Sequence, residues 1–177
     1  TKSGIWFLDA REKTNIARPL QGWYSPEGLV KLRAKDLQEA NQKLAQTPLQ
    51  FLESKSGLGL RKYQIKAIEA IEHQIIHYPD IRRALVAMAT GTGKTRTVIG
   101  LCYHLIQTNR FHRILFLVDR TLLGIQAINA FKDNKIVDLN TFADIYDIKG
   151  FKNLLPNSET RLHFATVQGM VKRLFYS

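Results

Sequence analysis

Apolar positions along the chain change their spacing near residue 60. Ahead of it, GIWFLDA at 4–10 is a compact apolar stretch of strand character, followed by a polar loop and by GWYSPEGLV at 22–30. Ser25 is placed to cap a helix whose first position is Pro26, and Glu27 sits favourably in its first turn. That helix continues through LVKLRAKDLQEANQKLAQ, with Leu29, Leu32, Leu37, Ala40 and Leu44 at loosely helical spacing and Pro48 positioned to end it. Its remaining face is polar, so it reads as a connecting helix, and SKSGLGL at 54–60 reads as a flexible joint.

From Leu60 onward helix periodicity alternates with short apolar runs. RKYQIKAIEAIEHQIIHY carries Ile65, Ile68, Ile71, Ile75 and Ile76 on one face of an amphipathic helix. ALVAM (84–88) is a predicted buried strand, a helix follows with Val98, Leu101, Cys102 and Leu105, and ILFLV (114–118) is a second strand. TLLGIQAINAFKD (121–133) is helical, IVDL (136–139) is a third short strand, and RLHFAT (161–166) a fourth. Strands without polar alternation, separated by helices, predict a parallel α/β sheet covered on both faces.

Composition narrows the class. With 45% hydrophobic and 23% charged residues, the 177-residue chain has the make-up of a soluble globular protein. No apolar run approaches the roughly 18 residues of a membrane span, and no signal-peptide pattern is present, so no membrane partner and a cytoplasmic location are expected. Cys102 is the only cysteine, which excludes a disulfide framework and a cysteine-built zinc site within the chain. The net charge of +11 points toward polyphosphate partners, but it is diffuse, and a solvated basic surface explains it as well.

LVAMATGTGKT (85–95) carries the chemistry. An apolar run, a Gly-rich loop and a helix in that order is the context of a phosphate-binding P-loop. Gly91 and Gly93 let main-chain amides between Thr90 and Thr95, Thr92 included, turn inward around an anion. Lys94 supplies the cation for the β- and γ-phosphates, and Thr95 offers a hydroxyl to a nucleotide-bound Mg²⁺. Met88 stands where the pattern has its first glycine, yet the tight turn rests on Gly91 and Gly93. ATP and Mg²⁺ are the expected cofactors.

ATGTGKT, with LRKYQIKAI and Gln64 thirty residues ahead of Lys94, resembles motif I and the upstream glutamine motif of superfamily 2 helicase-like motors. LFLVDRTLLGIQA resembles motif Ia and FATVQGM motif Ib. With YSPEGL ahead of the motor, the pattern is similar to the R (motor and nuclease) subunit of type I restriction-modification enzymes. The resemblance implies a RecA-like first motor lobe, ATP hydrolysis coupled to movement on double-stranded DNA before cleavage, and methyltransferase and specificity subunits as partners in a bacterial or archaeal cytoplasm. It implies that Gln64 reads the adenine edge and that Asp119, Arg120, Thr166 and Gln168 contact the backbone of one DNA strand. A bland alternative for Asp119 is a cap on the helix starting near Thr121. Alternatives at the level of the whole protein are another superfamily 2 helicase on DNA or RNA, and a non-catalytic, nucleotide-gated nucleic-acid-binding module.

The expected organisation is the tail of an upstream nuclease-like domain at 1–24, a linker helix and joint at 25–59, and an ATPase lobe at 60–177, incomplete at its C-terminal end. The acidic Asp-Glu motif of such motors is absent from the chain and is expected after Ser177. Without it, hydrolysis by these residues alone is not expected. Asp9, Glu12 and Lys13 lack the spacing of a metal-dependent nuclease centre, because adjacent strand residues point to opposite faces. His73 and His77 lack the glutamate of a zinc H-E-x-x-H helix and read as a surface pair.

Overall fold

The computed structural model of the chain describes residues 5–7, 18–20, 25–151 and 159–175. It divides into two units, Thr1–Glu39 and Ala40–Ser177. Asp9, Glu12 and Lys13 lie outside the described residues.

In the first unit, strands β1 (Ile5–Phe7) and β2 (Arg18–Leu20) pair antiparallel, with Ile5 opposite Leu20. Helix α1 (Pro26–Gln46) starts as its sequence predicts. The Ser25 hydroxyl accepts the amide of Gly28 at 3.1 Å, and its carbonyl accepts that of Leu29 at 3.0 Å. These bonds satisfy donors that a helix start leaves free.

The second unit takes in the end of α1, where Leu44 is buried, and a 3-10 turn at Gln50–Glu53. The stretch 54–60, expected as a flexible joint, is a packed turn instead. Ser54 O accepts the amides of Gly57 and Gly59, Leu60 donates to Leu52 O at 2.8 Å, and Leu58 and Leu60 are buried. Its glycines shape the turn, while its two leucines supply the apolar surface that fixes it. Helices α2 (Lys62–His77) and α3 (Lys94–Gln107) follow, then β3 (Ile114–Val118) and α4 (Thr121–Asp133). The chain continues through β4 (Lys135–Val137), β5 (Asn140–Thr141), α5 (Phe142–Ile145), β6 (Asp147–Lys149), β7 (Thr160–Thr166) and α6 (Val167–Phe175).

Strands β3, β7 and β6 form a parallel sheet in that order, flanked by helices, as expected of a RecA-like lobe. Ile114 and Phe116 stand beside Leu162 and Phe164, and this face enters the core. There Phe131 of α4 lies 5.1 Å from Phe142 and 5.4 Å from Phe164, ring centre to centre, in edge-to-face contacts. All three rings are fully buried. On the opposite face of β3, Leu115 and Leu117 are exposed.

Two predicted strands are corrected. Residues 84–88 form no strand, and Leu85 is 95% exposed. An apolar run is a strand only where a neighbour offers its free N–H and C=O groups, and no described strand pairs with this one. The run 136–139 does not join the parallel sheet. β4 instead pairs antiparallel with β5 across a two-residue turn in which Asp138 (φ 49) and Leu139 (φ 65) are both left-handed, the turn that suits a tight hairpin. Strand β6 was not foreseen, since DIK is short and half polar. Its Asp147 carboxylate accepts the hydroxyl of Thr160 at 2.9 Å, which helps bind it to β7.

Candidate nucleotide site

The loop 89–93 enters α3 through two left-handed glycines, Gly91 (φ 80) and Gly93 (φ 82). A side chain strains a backbone in that region, by about 1–2 kcal/mol per residue, so the glycines set the loop's path. Gly93 is the N-cap of α3, and Lys94 and Thr95 form its exposed first turn. The amides of that turn have no intrahelical acceptor, and the helix dipole adds positive potential. A Cβ on Gly91 would meet nothing within 4 Å, which leaves that side of the loop open.

The loop is braced from within and from α2. Thr92 Oγ1 donates to Ala89 O at 2.7 Å, while the Thr97 hydroxyl and amide both donate to Gly93 O. Lys94 Nζ lies 3.0 Å from the carbonyl oxygens of both Met88 and Ala89. Two oxygen acceptors thus hold the ammonium at the loop, so Met88 contributes through its main chain where the P-loop pattern has glycine. From α2, Gln64 Nε2 donates to Thr92 O and Gly93 O at 3.2 Å each, and Gln64 Oε1 accepts the Arg61 amide at 2.7 Å. Gln64 is 4% exposed and its amide is occupied by backbone on both ends. It can reach a base only by exchanging one of these bonds.

Tyr63, not singled out from the sequence, adds a phenol hydroxyl to Thr92 O at 2.8 Å. Its position directly before Gln64 was the only available signal. Arg96 was also missed; its Nε donates to Asn134 Oδ1 at 3.2 Å.

The four expected nucleic-acid contacts come together as a separate group. Val118 stands beside Thr166 at the last rung of β3 and β7, so Asp119–Arg120 and Thr166–Gln168 leave one sheet edge side by side. Asp119 does not cap α4; the cap position is Arg120, with no side-chain capping bond. The Asp119 carboxylate is instead 3.8 Å from Arg120 Nε, and both side chains are mostly exposed. Thr166 Oγ1 accepts the Gly169 amide at 3.0 Å, and Gln168 is exposed. Arg96, two residues past Lys94, bonds Asn134 beyond the end of α4, whereas Arg120 precedes its start. A helix of this length spans about 20 Å.

Among the described residues no group of three or more His, Cys, Asp or Glu side chains could hold a metal ion, and no helix is long and apolar enough to cross a membrane. His73 and His77 are exposed, with ring centres 4.3 Å apart.

Residues 57–175 match the family model described as type III restriction enzyme, res subunit. Residues 1–33 match that of the type I restriction enzyme EcoKI endonuclease subunit second domain. The chain is 46% identical, over its full 177 residues, to the type I restriction enzyme EcoKI endonuclease subunit of Escherichia coli strain K12, and spans 14% of that relative's length. It is 37% identical over 79 residues, 45% of the chain and 10% of the relative, to the type I restriction enzyme EcoAI endonuclease subunit of Escherichia coli. No solved structure matches the chain.

Proposed function

The chain belongs to the restriction-enzyme family described as type III restriction enzyme, res subunit, and within it to the R subunits of type I systems; on that premise we propose that it is part of an ATP-dependent motor that moves double-stranded DNA before cleavage. The observation that carries the proposal is the loop Thr90–Thr95 opening α3, with Gly91 and Gly93 left-handed and Lys94 held against two oxygen acceptors. Phosphate oxygens are acceptors of the same kind with more charge. Lys94 exchanges its carbonyl partners for the β- and γ-phosphates, and the main-chain amides of the loop and of α3's first turn surround them. Thr95 takes the Mg²⁺-ligand role.

ATP with Mg²⁺, when bound, supplies the phosphoanhydride whose hydrolysis drives the motor. Gln64 serves the site by bracing Thr92 and Gly93, and contacts adenine when one of its backbone bonds is released. Asp119, Arg120, Thr166 and Gln168 grip the backbone of one DNA strand at the other end of α4. Backbone contacts carry no sequence information, which suits movement along any DNA. In the whole protein, residues 1–24 belong to a nuclease-like domain, 25–59 to a connection, and 60–177 to the first motor lobe. Methyltransferase and specificity subunits are the partners, in the cytoplasm.

The test is DNA-stimulated ATP hydrolysis by the complete polypeptide with those subunits. Lys94→Ala should remove it with the fold intact. Undiminished hydrolysis in that variant would overturn the assignment.

A further inference from the structure

Helix α2 meets α3 along one face, through residues of α2 spaced four apart. Gln64 reaches Gly93 O, the Ile68 Cδ1 methyl lies 3.3 Å from where a Cβ on Gly100 would sit, and Glu72 Oε1 lies 2.6 Å from His104 Nδ1. The contact order is the same on both helices, so they run parallel, with a polar tie at each end and an apolar step between. His104 is fully buried and Glu72 is 6% exposed. The two groups share one proton across that contact. His104 Nε2 is buried without a hydrogen-bond partner among the described residues, and the ring of Phe51 packs 6.3 Å away.

Such a pair is a poor way to gain stability, because an apolar pair of the same volume avoids the desolvation of a carboxylate. What it provides is register. Apolar side chains tolerate small shifts of one helix along another, whereas a 2.6 Å bond between two buried polar groups admits one alignment. That alignment matters 8 residues away. A slip of a single residue moves α2 by about 1.5 Å, about half the 3.2 Å that separates Gln64 Nε2 from each of its acceptors.

We propose that Glu72 and His104 are a positioning pair for the nucleotide loop: they fix the register of α2 on α3 and so hold Gln64 against the carbonyls of Thr92 and Gly93. The inference rests on the nucleotide-site reading above. It requires that the pair act through Gln64, and a double-mutant cycle reads that dependence directly.

The experiment uses the complete polypeptide, measuring affinity for a fluorescent ATP analogue together with KM and kcat of DNA-stimulated hydrolysis. Glu72→Leu and His104→Phe should each weaken nucleotide affinity about tenfold, a usual size for coupling within one network, while kcat stays within about twofold. His104→Asn keeps a donor at the Nδ1 position and should recover most of the loss. In a Gln64→Ala background, Glu72→Leu should add less than about a twofold change. Equal losses in both backgrounds would make the pair merely structural and overturn the inference. Should the leucine variant not fold, Glu72→Asp keeps the charge but shortens its reach; wild-type affinity in that variant, with Gln64→Ala impaired, overturns the inference equally. Wild-type protein that binds no analogue, or Lys94→Ala that binds as well as wild type, would instead remove the nucleotide-site reading on which the inference rests.

Discussion

The carboxamide of Gln64 and the carbonyl of Gly93, 29 residues apart in sequence, are joined by a 3.2 Å hydrogen bond that ties α2 to the mouth of the P-loop. Gly93 is left-handed, and a Cβ there would come within 2.6 Å of Gln64 Nε2. Gly91 is also left-handed but faces open space. Both substitutions to alanine incur backbone strain of about 1–2 kcal/mol, and only Gly93→Ala also displaces the Gln64 amide. Urea denaturation should therefore show a larger loss for Gly93→Ala than for Gly91→Ala, and equal losses would refute the tie.

Arg120 and Gln168 leave the sheet at one edge because Val118 and Thr166 close the same rung. If this edge grips DNA backbone, Arg120→Ala should weaken binding about equally for unrelated sequences and reduce the slope of log affinity against log salt by about 1. An unchanged slope, or a loss confined to one sequence, would argue against the contact.

Phe131 touches Phe116, Phe142 and Phe164 at ring separations of 5.9, 5.1 and 5.4 Å and is fully buried. Truncation to alanine leaves a void between α4, α5 and β7. Phe131→Ala should cost about 3–5 kcal/mol in chemical denaturation and Phe131→Leu distinctly less. A cost below about 1 kcal/mol for the alanine variant would show that the ring does not organise the core.

Burial pushes the Cys102 thiol up to about 12. At neutral pH its thiolate is therefore scarce and shielded. Iodoacetamide should leave native protein unmodified for hours and alkylate it within minutes in denaturant, and rapid native labelling would contradict its place on α3.

At the start of α5, the Thr141 amide and then its hydroxyl donate to the Asp144 carboxylate, both at 2.8 Å, and hold it below the usual carboxylate range. A carboxylate lowered in the folded state adds stability above its unfolded value, and the contribution disappears as pH falls through the folded one. Wild type should exceed Asp144→Asn in stability at neutral pH, with the gap closing in acid. A gap that persists at the lowest pH would rule out this capping role.

What could be read along the chain is what local chemistry decides. Ser25 and Pro26 announce α1 through hydrogen bonds to adjacent residues, the spacing over 121–133 matches α4, and Gly91 and Gly93 mark the turn ahead of α3 because glycine enters the left-handed region without strain. Gln64 was found through its distance from Lys94, but its actual bonds, to Arg61, Thr92 and Gly93, were not. Residues 84–88 show why apolarity alone is not a strand: pairing needs a partner, and the partner is named nowhere in the run itself. The hairpin at 135–141 hid for a different reason, since Asp138 and Leu139 take left-handed conformations without the usual glycine.

Residue spacing and side-chain chemistry by themselves determined helices α1 to α4 and the glycine turn that opens α3, because each depends on neighbours within a turn or two. Tertiary structure alone decided that Glu72 meets His104, that Tyr63 and Gln64 brace Thr92, and that Arg120 and Gln168 share one sheet edge. Those relationships join residues tens of positions apart. They exist only once burial of the whole core, Phe131, Phe142 and Phe164 included, has offset the entropy of bringing the chain together.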